Sequence, residues 1–449
     1  MSARFPVRPT PAERLKDLPA VPWDALPQEA LVNVFSYLCD GDRLEASLAC
    51  KAWHRVFTMA CLWRHRTFKF RGTKMQQGCY DGFLHEHGQH LEHMILEFAK
   101  PNTAVVQCFE AFVATANKCA ALRLLSIKVR VLWFSLQRKG WSAYRTKIVQ
   151  ALCLLLKRQP MLQEADFFFC QFTHNEGLQV LKALTGDLPL MTRRNIISLS
   201  LREYFEVGTH YMSLRTFSEV MGRFPSLAFL HLDQHYLCEA VLDKLITGCA
   251  QTLRHLYIVM DNRNDHAIDS HTWSLAVQRC PSLTVTVRLD VCYLFEDYYS
   301  RVLVASMPLT RVFLWDTCGR RDITFADVAR FLGYVSELFF NTIEEVCLKA
   351  EKFLKVDDEA ERYRKMEKAV VKLNERCVQL KRLYFCIPLK PETLDKLSRV
   401  VVARLQNETK RLEVTVVHVK MSPGYIQERW PTLLSLSRDE FLYDDFKNF

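Results

Sequence analysis

Hydrophobic and polar positions along this chain follow two different periods. From Pro27 the apolar residues Leu31, Val34, Phe35 and Leu38 recur at the i, i+3, i+4, i+7 spacing, which predicts an amphipathic helix with that stripe buried. Proline fits the start of a helix, where its missing N–H leaves no bond unmade. Asp40-Gly41 interrupts the pattern. Asp42, with Glu45 three residues on, then has the form of a capping box for a second helix whose inward residues are Leu44 and Leu48. A third apolar segment carries Trp53, Phe57, Leu62 and Trp63. Three helices in about forty residues bury little surface, so this segment is expected to complete its core on another chain or domain.

Past Phe70 the sequence RGTKMQQGCYDG reads as a turn-rich link. The period then changes to short strands of the form L-x-x-L-x-L. They fall at Leu91, Met94, Leu96; Leu122, Leu125, Ile127; Leu162, Ala165, Phe167; Ile196, Leu199, Leu201; Leu227, Leu230, Leu232; and Leu253, Leu256, Ile258. The series continues at Leu309, Val312, Leu314; Val335, Leu338, Phe340; and Leu380, Leu383, Phe385, with a degenerate copy at Leu283, Val285, Val287 and a last alternating strand at Leu412, Val414, Val416. Successive starts lie about 26 to 45 residues apart, room for a helix after each strand, such as Phe109 to Ala120 or Ala240 to Ala250. Each unit alone buries too little, and stacking closes the core.

The lead-in to these strands repeats as well. Pro160, Pro225 and Pro281 stand two residues before the first apolar residue, and Cys119, Cys280 and Cys377 three before it. Proline ends the preceding helix, and cysteine offers a small apolar group for a tight corner. One interval is long: from Phe353 to Leu380, apolar residues Phe353, Val356, Ala360, Tyr363, Met366, Val370, Leu373, Cys377 and Leu380 are spaced mostly by three or four, predicting one long repeat helix over 350–380 that alternatively serves as a partner helix or coiled coil. Residues 1–20, rich in proline and charge, read as a flexible leader. At 436–449, Phe441, Tyr443, Phe446 and Phe449 among acids suit a cap over the last repeat, or a tail that reaches back to the repeat face or into a partner.

The order and spacing of Leu26-Pro27, Glu29, Leu31, Val34-Phe35, Leu38, Asp42, Leu44, Cys50, Trp53 and Leu62-Trp63 resemble the F-box motif of substrate receptors in cullin-RING ubiquitin ligases, with Ala49 where that family usually has valine. The repeats, with Cys280-Pro281-Ser282-Leu283 as the clearest lead-in, resemble cysteine-containing leucine-rich repeats, although the Asn or Cys after the strand survives only as Cys170 ahead of Phe172. The resemblance implies an α/β architecture: a three-helix F-box over 21–70, then an irregular, divergent leucine-rich-repeat solenoid over 71–435. It further implies a non-catalytic receptor subunit of an SCF-type (Skp-cullin-F-box) ligase. The F-box would hold a Skp-type adaptor and, through it, cullin and RING subunits, while the repeats hold a target protein. Large apolar groups dominate such contacts, so Leu26, Pro27, Leu31, Phe35, Leu38 and Trp63 are the expected adaptor residues. The rival reading is a repeat scaffold that binds the adaptor or another partner without promoting ubiquitination.

Composition narrows these readings. At 449 residues with 49% hydrophobic and 24% charged positions, the chain is a folded protein of more than one compact unit or an elongated array. No apolar run is long enough to cross a bilayer and no secretory leader is evident, which suggests the cytoplasm or nucleus. Sixteen cysteines without a Cys-x-x-Cys pair read as buried free thiols rather than disulfides or zinc ligands. The net charge of +10 is spread among acids, so a nucleic-acid partner is not expected. His85, His87, His90 and His93 form the one histidine cluster, but Gln89 occupies the position a zinc-binding helix would need. No cofactor, metal or catalytic site is expected. Alternation alone nominates Lys128, Arg130, Arg202, His231, Asp233 and Tyr257 as outward strand residues, without assigning a target site.

Overall fold

The computed structural model describes residues 26–71, 74–100, 102–131, 142–186, 195–206, 214–260, 267–290, 294–315, 324–349, 360–385, 389–406 and 413–416. The expected leader at 1–20 and the expected cap or tail at 436–449 lie outside them, as do Phe353, Val356 and Leu412.

The front segment folds as α1 (Gln28–Tyr37), α2 (Asp40–Ser47) and α3 (Lys51–Phe57), followed by a short turn of 3-10 helix at Ala60–Leu62. Strands β1 (His65–Phe70), β2 (His93–Phe98), β3 (Ser126–Val131), β4 (Glu164–Asp166), β5 (Ser198–Leu201) and β6 (Phe229–Asp233) come next in the sheet. They are joined by β7 (His255–Met260), β8 (Thr284–Asp290), β9 (Leu309–Trp315), β10 (Glu345–Lys349), β11 (Arg382–Phe385) and β12 (Glu413–Val416). All twelve lie parallel in one sheet, in sequence order.

A parallel pair needs a crossover, and helices supply it: α4 (Lys74–His87), α5 (Thr103–Lys118), α6 (Ser142–Lys157), α7 (His174–Thr185), α8 (Leu214–Met221) and α9 (Glu239–Gly248) in the first half. The second half uses α10 (Ser270–Arg279), α11 (Glu296–Val302), α12 (Phe325–Leu338), α13 (Ala360–Arg376) and α14 (Pro391–Gln406). Neighbouring helices such as α5 and α6, or α12 and α13, pack side by side. Each strand turns alternate residues toward this layer. Met94, Leu96 and Phe98 of β2 and Ile127, Val129 and Val131 of β3 are fully buried in one continuous core. The solenoid expected from the L-x-x-L-x-L spacing is present.

The lead-in residues act as corners. The N–H groups of Leu122, Leu283 and Leu380 donate to the carbonyls of Cys119, Cys280 and Cys377 at 2.9–3.1 Å, so each cysteine opens a one-turn bend before its strand. Cys280 and Cys377 are buried. Cys170 is also buried, with Sγ 3.7 Å from the Val129 carbonyl. Thr173 and Glu176 form a capping box at the start of α7. Gly177 in that helix is required by packing, because a Cβ there would collide with the Phe205 ring.

Four sequence expectations change. Val335 and Leu338 end α12 instead of forming a strand. Phe325, Val328, Phe331, Leu332 and Val335 make a longer helical stripe, and the spacing of three that suits L-x-x-L suits a helix equally. The repeat's strand is β10, where buried Ile343, Val346 and Leu348 carry the same pattern. The stretch after Phe70 is not a link: α4 covers most of it. The long helix is α13, ending at Arg376, with Met366, Val370 and Leu373 buried. Finally, the sheet begins before residue 71, because β1 pairs with β2 from His65↔His93 to Phe70↔Phe98.

Candidate functional site

Two surfaces qualify as interaction sites, and the front one is built as follows. Pro27 caps α1, and the Leu31 N–H donates to its carbonyl at 3.1 Å. From that start Leu31 and Phe35 point inward, and Phe35 meets Trp53 edge to face at 5.7 Å. Cys39 caps α2, its sulfur accepting from the Asp42 N–H at 3.5 Å. The capping-box role expected of Asp42 therefore passes to Cys39, one turn earlier. Arg43 ties the segment together: its guanidinium donates to the carbonyls of Phe35, Ser36 and Leu62 at 2.8–3.2 Å. Two of those carbonyls are at the C-terminal end of α1, where a cation is favoured.

Trp63 closes the unit. It is buried, its indole N–H donates to the Phe57 carbonyl at 2.7 Å, and its ring stacks on His87 of α4 at 4.4 Å. Burial pushes the His87 imidazole below its ordinary range, which favours the neutral ring. Arg66 of β1 reaches Asp40 of α2 at 2.8 Å and lies 4.1 Å from the Phe83 ring of α4. The small helical unit therefore completes its core on the first repeat of its own chain, which answers the shortage of buried surface read from its length.

This packing sorts the expected adaptor residues. Pro27 is exposed and Leu26 and Leu38 are half-buried, so these three reach the surface. Leu31, Phe35 and Trp63 are 2%, 0% and 3% exposed. They are core, and a contact role does not fit side chains already enclosed by their own domain. The apolar groups that do face out are Val34 and Tyr37 on α1, 38% and 84% exposed, and Leu44 and Leu48 on α2 and its C-cap, 54% and 79% exposed. Leu44 and Leu48, the inward residues expected of the second helix, thus face out. Their i, i+4 spacing gives a stripe without saying which way it points, and Ser47 is the residue of α2 that is buried. Tyr37 carried no signal of its own, since a tyrosine at the end of a helix suits a rim as well as a surface.

The second surface is the face of the sheet away from the helices. There Arg130 pairs with Asp166 at 2.5 Å, Arg311 and Arg382 flank Glu345 at 3.7 and 2.8 Å, and Lys69 meets Glu97 at 3.6 Å. Arg202 lies 4.6 Å from the Phe168 ring, and the His231 ring lies 4.2 Å from that of Tyr257, tilted by 50°. Asp233 is fully buried and accepts from the Glu203 N–H at 2.8 Å. Of the outward residues nominated by alternation, Lys128, Arg130, Arg202 and Tyr257 are half-buried on this face, and Asp233 serves the backbone.

Among the described residues no group of three or more His, Cys, Asp or Glu side chains is placed to hold a metal ion. His85 and His87 lie on α4, and His93 stacks on His65 across β1 and β2 at 4.2 Å. Among them, too, no helix is long and apolar enough to cross a membrane. The described cysteines are free: Cys108, Cys170, Cys249, Cys280, Cys347 and Cys377 are buried as expected, whereas Cys39, Cys61 and Cys79 are exposed.

Comparison with known proteins bears on both parts. Residues 23–69 match the F-box-like family model. F-box/LRR-repeat protein 21 of Mus musculus is 22% identical over 315 residues, covering 66% of each chain, and its Bos taurus counterpart is 22% identical over 300 residues, covering 65% of this chain and 64% of the relative. The chain thus spans just under two thirds of the length of these relatives. The crystal structure of a TLR13–ssRNA13 complex aligns over 79% of this chain and 53% of that one, with 13% identity and a TM-score of 0.36. With α1 to α3 inside the F-box-like match and parallel strand-helix units following them, the chain carries an F-box-like domain ahead of leucine-rich-repeat-type units and is similar to the F-box/LRR-repeat proteins.

Proposed function

We propose that this chain is the target-recognition subunit of an SCF-type E3 ubiquitin ligase. Its F-box helices bind a Skp-type adaptor and, through it, cullin and RING subunits, and its repeats hold the target protein in the cytoplasm or nucleus. In this reading the chain itself does no chemistry. It raises the concentration of a target lysine near the ubiquitin thioester carried by the complex.

The observation that carries the reading is the outward quartet Val34, Tyr37, Leu44 and Leu48 on a domain whose internal core is already filled by Leu31, Phe35 and Trp63. Large apolar side chains left exposed on two successive helices are the material of a protein-binding surface. The adaptor residues proposed here are therefore this quartet with Pro27 and the half-buried Leu26 and Leu38. The test is co-purification: Tyr37→Ala with Leu48→Asp removes the adaptor, cullin and RING subunits from the tagged chain while its thermal melt stays in place. Recovery of all three at the wild-type level overturns the reading. Recovery of adaptor without cullin selects the scaffold reading instead.

A further inference from the structure

Most cations on the sheet face away from the helices are matched to a carboxylate, as Arg130, Arg311 and Arg382 show. Arg288 of β8 departs from this pattern. It is 7% exposed, sits 4.8 Å from the Trp315 ring, and has no carboxylate in ion-pair contact among the described residues. Burying an unmatched cation is costly, and its surroundings add to the cost, since burial and the neighbouring Arg202 both disfavour the charge. Strand β8 is buried on both faces through its middle, with Thr286 1% exposed.

Three polar atoms in the same neighbourhood are buried without a hydrogen-bond partner: Arg202 Nε, His231 Nε2 and Thr286 Oγ1. Such atoms are rare and call for an explanation. His231 feels both Arg202 and Arg288, and with burial they hold its imidazole well below the ordinary range and neutral. The neighbourhood is flanked by aromatic rings on both sides, Phe168 against Arg202 and Trp315 against Arg288, with Tyr257 between. At its edge, Phe169, Gln171 and Glu203 hold positive φ angles of 61°, 46° and 50°. Non-glycine residues in that region carry strain that tends to collect at binding sites.

We propose that this face between β4 and β9 is the docking site for an unmodified acidic peptide segment of the target protein, with its carboxylate received by Arg288 and Arg202 and flanking aromatic groups stacked on Phe168, Tyr257 and Trp315. The inference rests on the receptor reading above and adds the chemistry of what is received. A carboxylate is chosen over a phosphate because Glu203 lies 3.6 Å from Arg202, Asp233 is fully buried nearby, and Asp290 is close enough to favour the Arg288 charge. Carboxylates already beside the two guanidiniums repel a dianion more strongly than a single negative charge. A neutral His231 beside the cations leaves the site without a further positive charge to hold one.

The experiment uses the full chain co-expressed with its adaptor and fluorescein-labelled pools of twelve-residue peptides, with two central Asp or Glu positions flanked by Phe or Tyr and random elsewhere. Anisotropy is expected to show binding that weakens with salt and is lost when the central acids become Asn or Gln. Arg288→Gln and Arg202→Gln are each expected to weaken binding by about tenfold or more, whereas Arg382→Gln, in the matched trio, leaves it unchanged. If Arg288→Gln fails the circular-dichroism check, Arg202→Gln decides alone. Absence of binding by the acidic pool, equal binding by the amide pool, or wild-type affinity in the folded arginine variants overturns the proposal. So does a phosphoserine pool that binds tighter than the acidic one. Adaptor recovery is scored in the same samples, so loss of adaptor with peptide binding intact counts against the receptor reading alone.

Discussion

Helix α2 and helix α12 both carry apolar residues at helical spacing, and they use them in opposite ways. In α12, Phe325, Val328, Phe331, Leu332 and Val335 all enter the core between the sheet and the neighbouring helices. In α2 and its cap, Leu44 and Leu48 stand in the open, although the helix is fixed from behind by Arg43 and by the Asp40–Arg66 ion pair. The difference shows what each helix is for. A repeat helix has a sheet beneath it and neighbours on both sides, so its stripe is satisfied at home. The F-box fills its own core with Leu31, Phe35 and Trp63 and keeps a second set of apolar groups outward, the set that the proposed function assigns to the adaptor.

The comparison is tested most severely where it concerns cores. Trp63→Ala is expected to cost about 3–5 kcal/mol, because the indole fills the joint between α3, α4 and β1 and makes the hydrogen bond to Phe57. Phe331→Ala in α12 should cost a similar amount, and thermal melting of both variants checks whether the two cores are equally indispensable. Melting in separate steps would break the view that they form one continuous core.

Next in size is a pH effect confined to the repeats. His255 is buried beside Arg311, and its imidazole is depressed from its ordinary 6.5 to about 4. Between those values the unfolded chain binds the proton and the folded chain does not, so the His255 contribution is complete above about pH 6.5 and is lost as pH falls toward 4, by at most about 3 kcal/mol. Melting temperature against pH should show that decline, and His255→Asn should flatten it; His231→Asn should flatten it further, since His231 is depressed in the same direction. An unchanged slope in the double variant would place the pH sensitivity elsewhere.

Outward residues should behave differently. Leu48→Ala is expected to leave stability within about 0.5 kcal/mol while costing about 2 kcal/mol of adaptor affinity, roughly thirty-fold. Isothermal titration with purified adaptor reads the affinity, and a thermal melt of the same preparation reads the stability. The smallest effect belongs to the exposed pairs of Glu337 with Lys372 and Arg376. Glu337→Ala should move the melting free energy by less than about 1 kcal/mol, and a larger loss would mean that the joint between α12 and α13 depends on charge as well as on packing.

The periodicity of the chain fixed the repeats because a strand that must bury alternate residues leaves few choices for them, and the corner residues Cys280 and Cys377 announced the bend before each strand. It erred where two periods share a spacing, at Val335 and Leu338, where only the run of helical positions before them resolves the matter. The F-box motif was legible in Pro27, Phe35 and Trp63, yet of these expected contacts Phe35 and Trp63 lie in the core and only Pro27 reaches the surface. A motif records which side chains are needed and is silent on whether they serve the inside or the outside.

The sequence by itself determined the order of elements, the strand-helix repeat and the F-box at the front, since these follow from local spacing and from residue types with narrow conformational uses. Only the tertiary structure decided that β1 joins the F-box to the sheet, that α4 completes its core, that Leu44 and Leu48 face outward, and that Arg288 sits beside Trp315 without a carboxylate in ion-pair contact among the described residues. Those outcomes depend on which distant residues share a space, and burial and electrostatics are set by neighbours that spacing along a chain does not name.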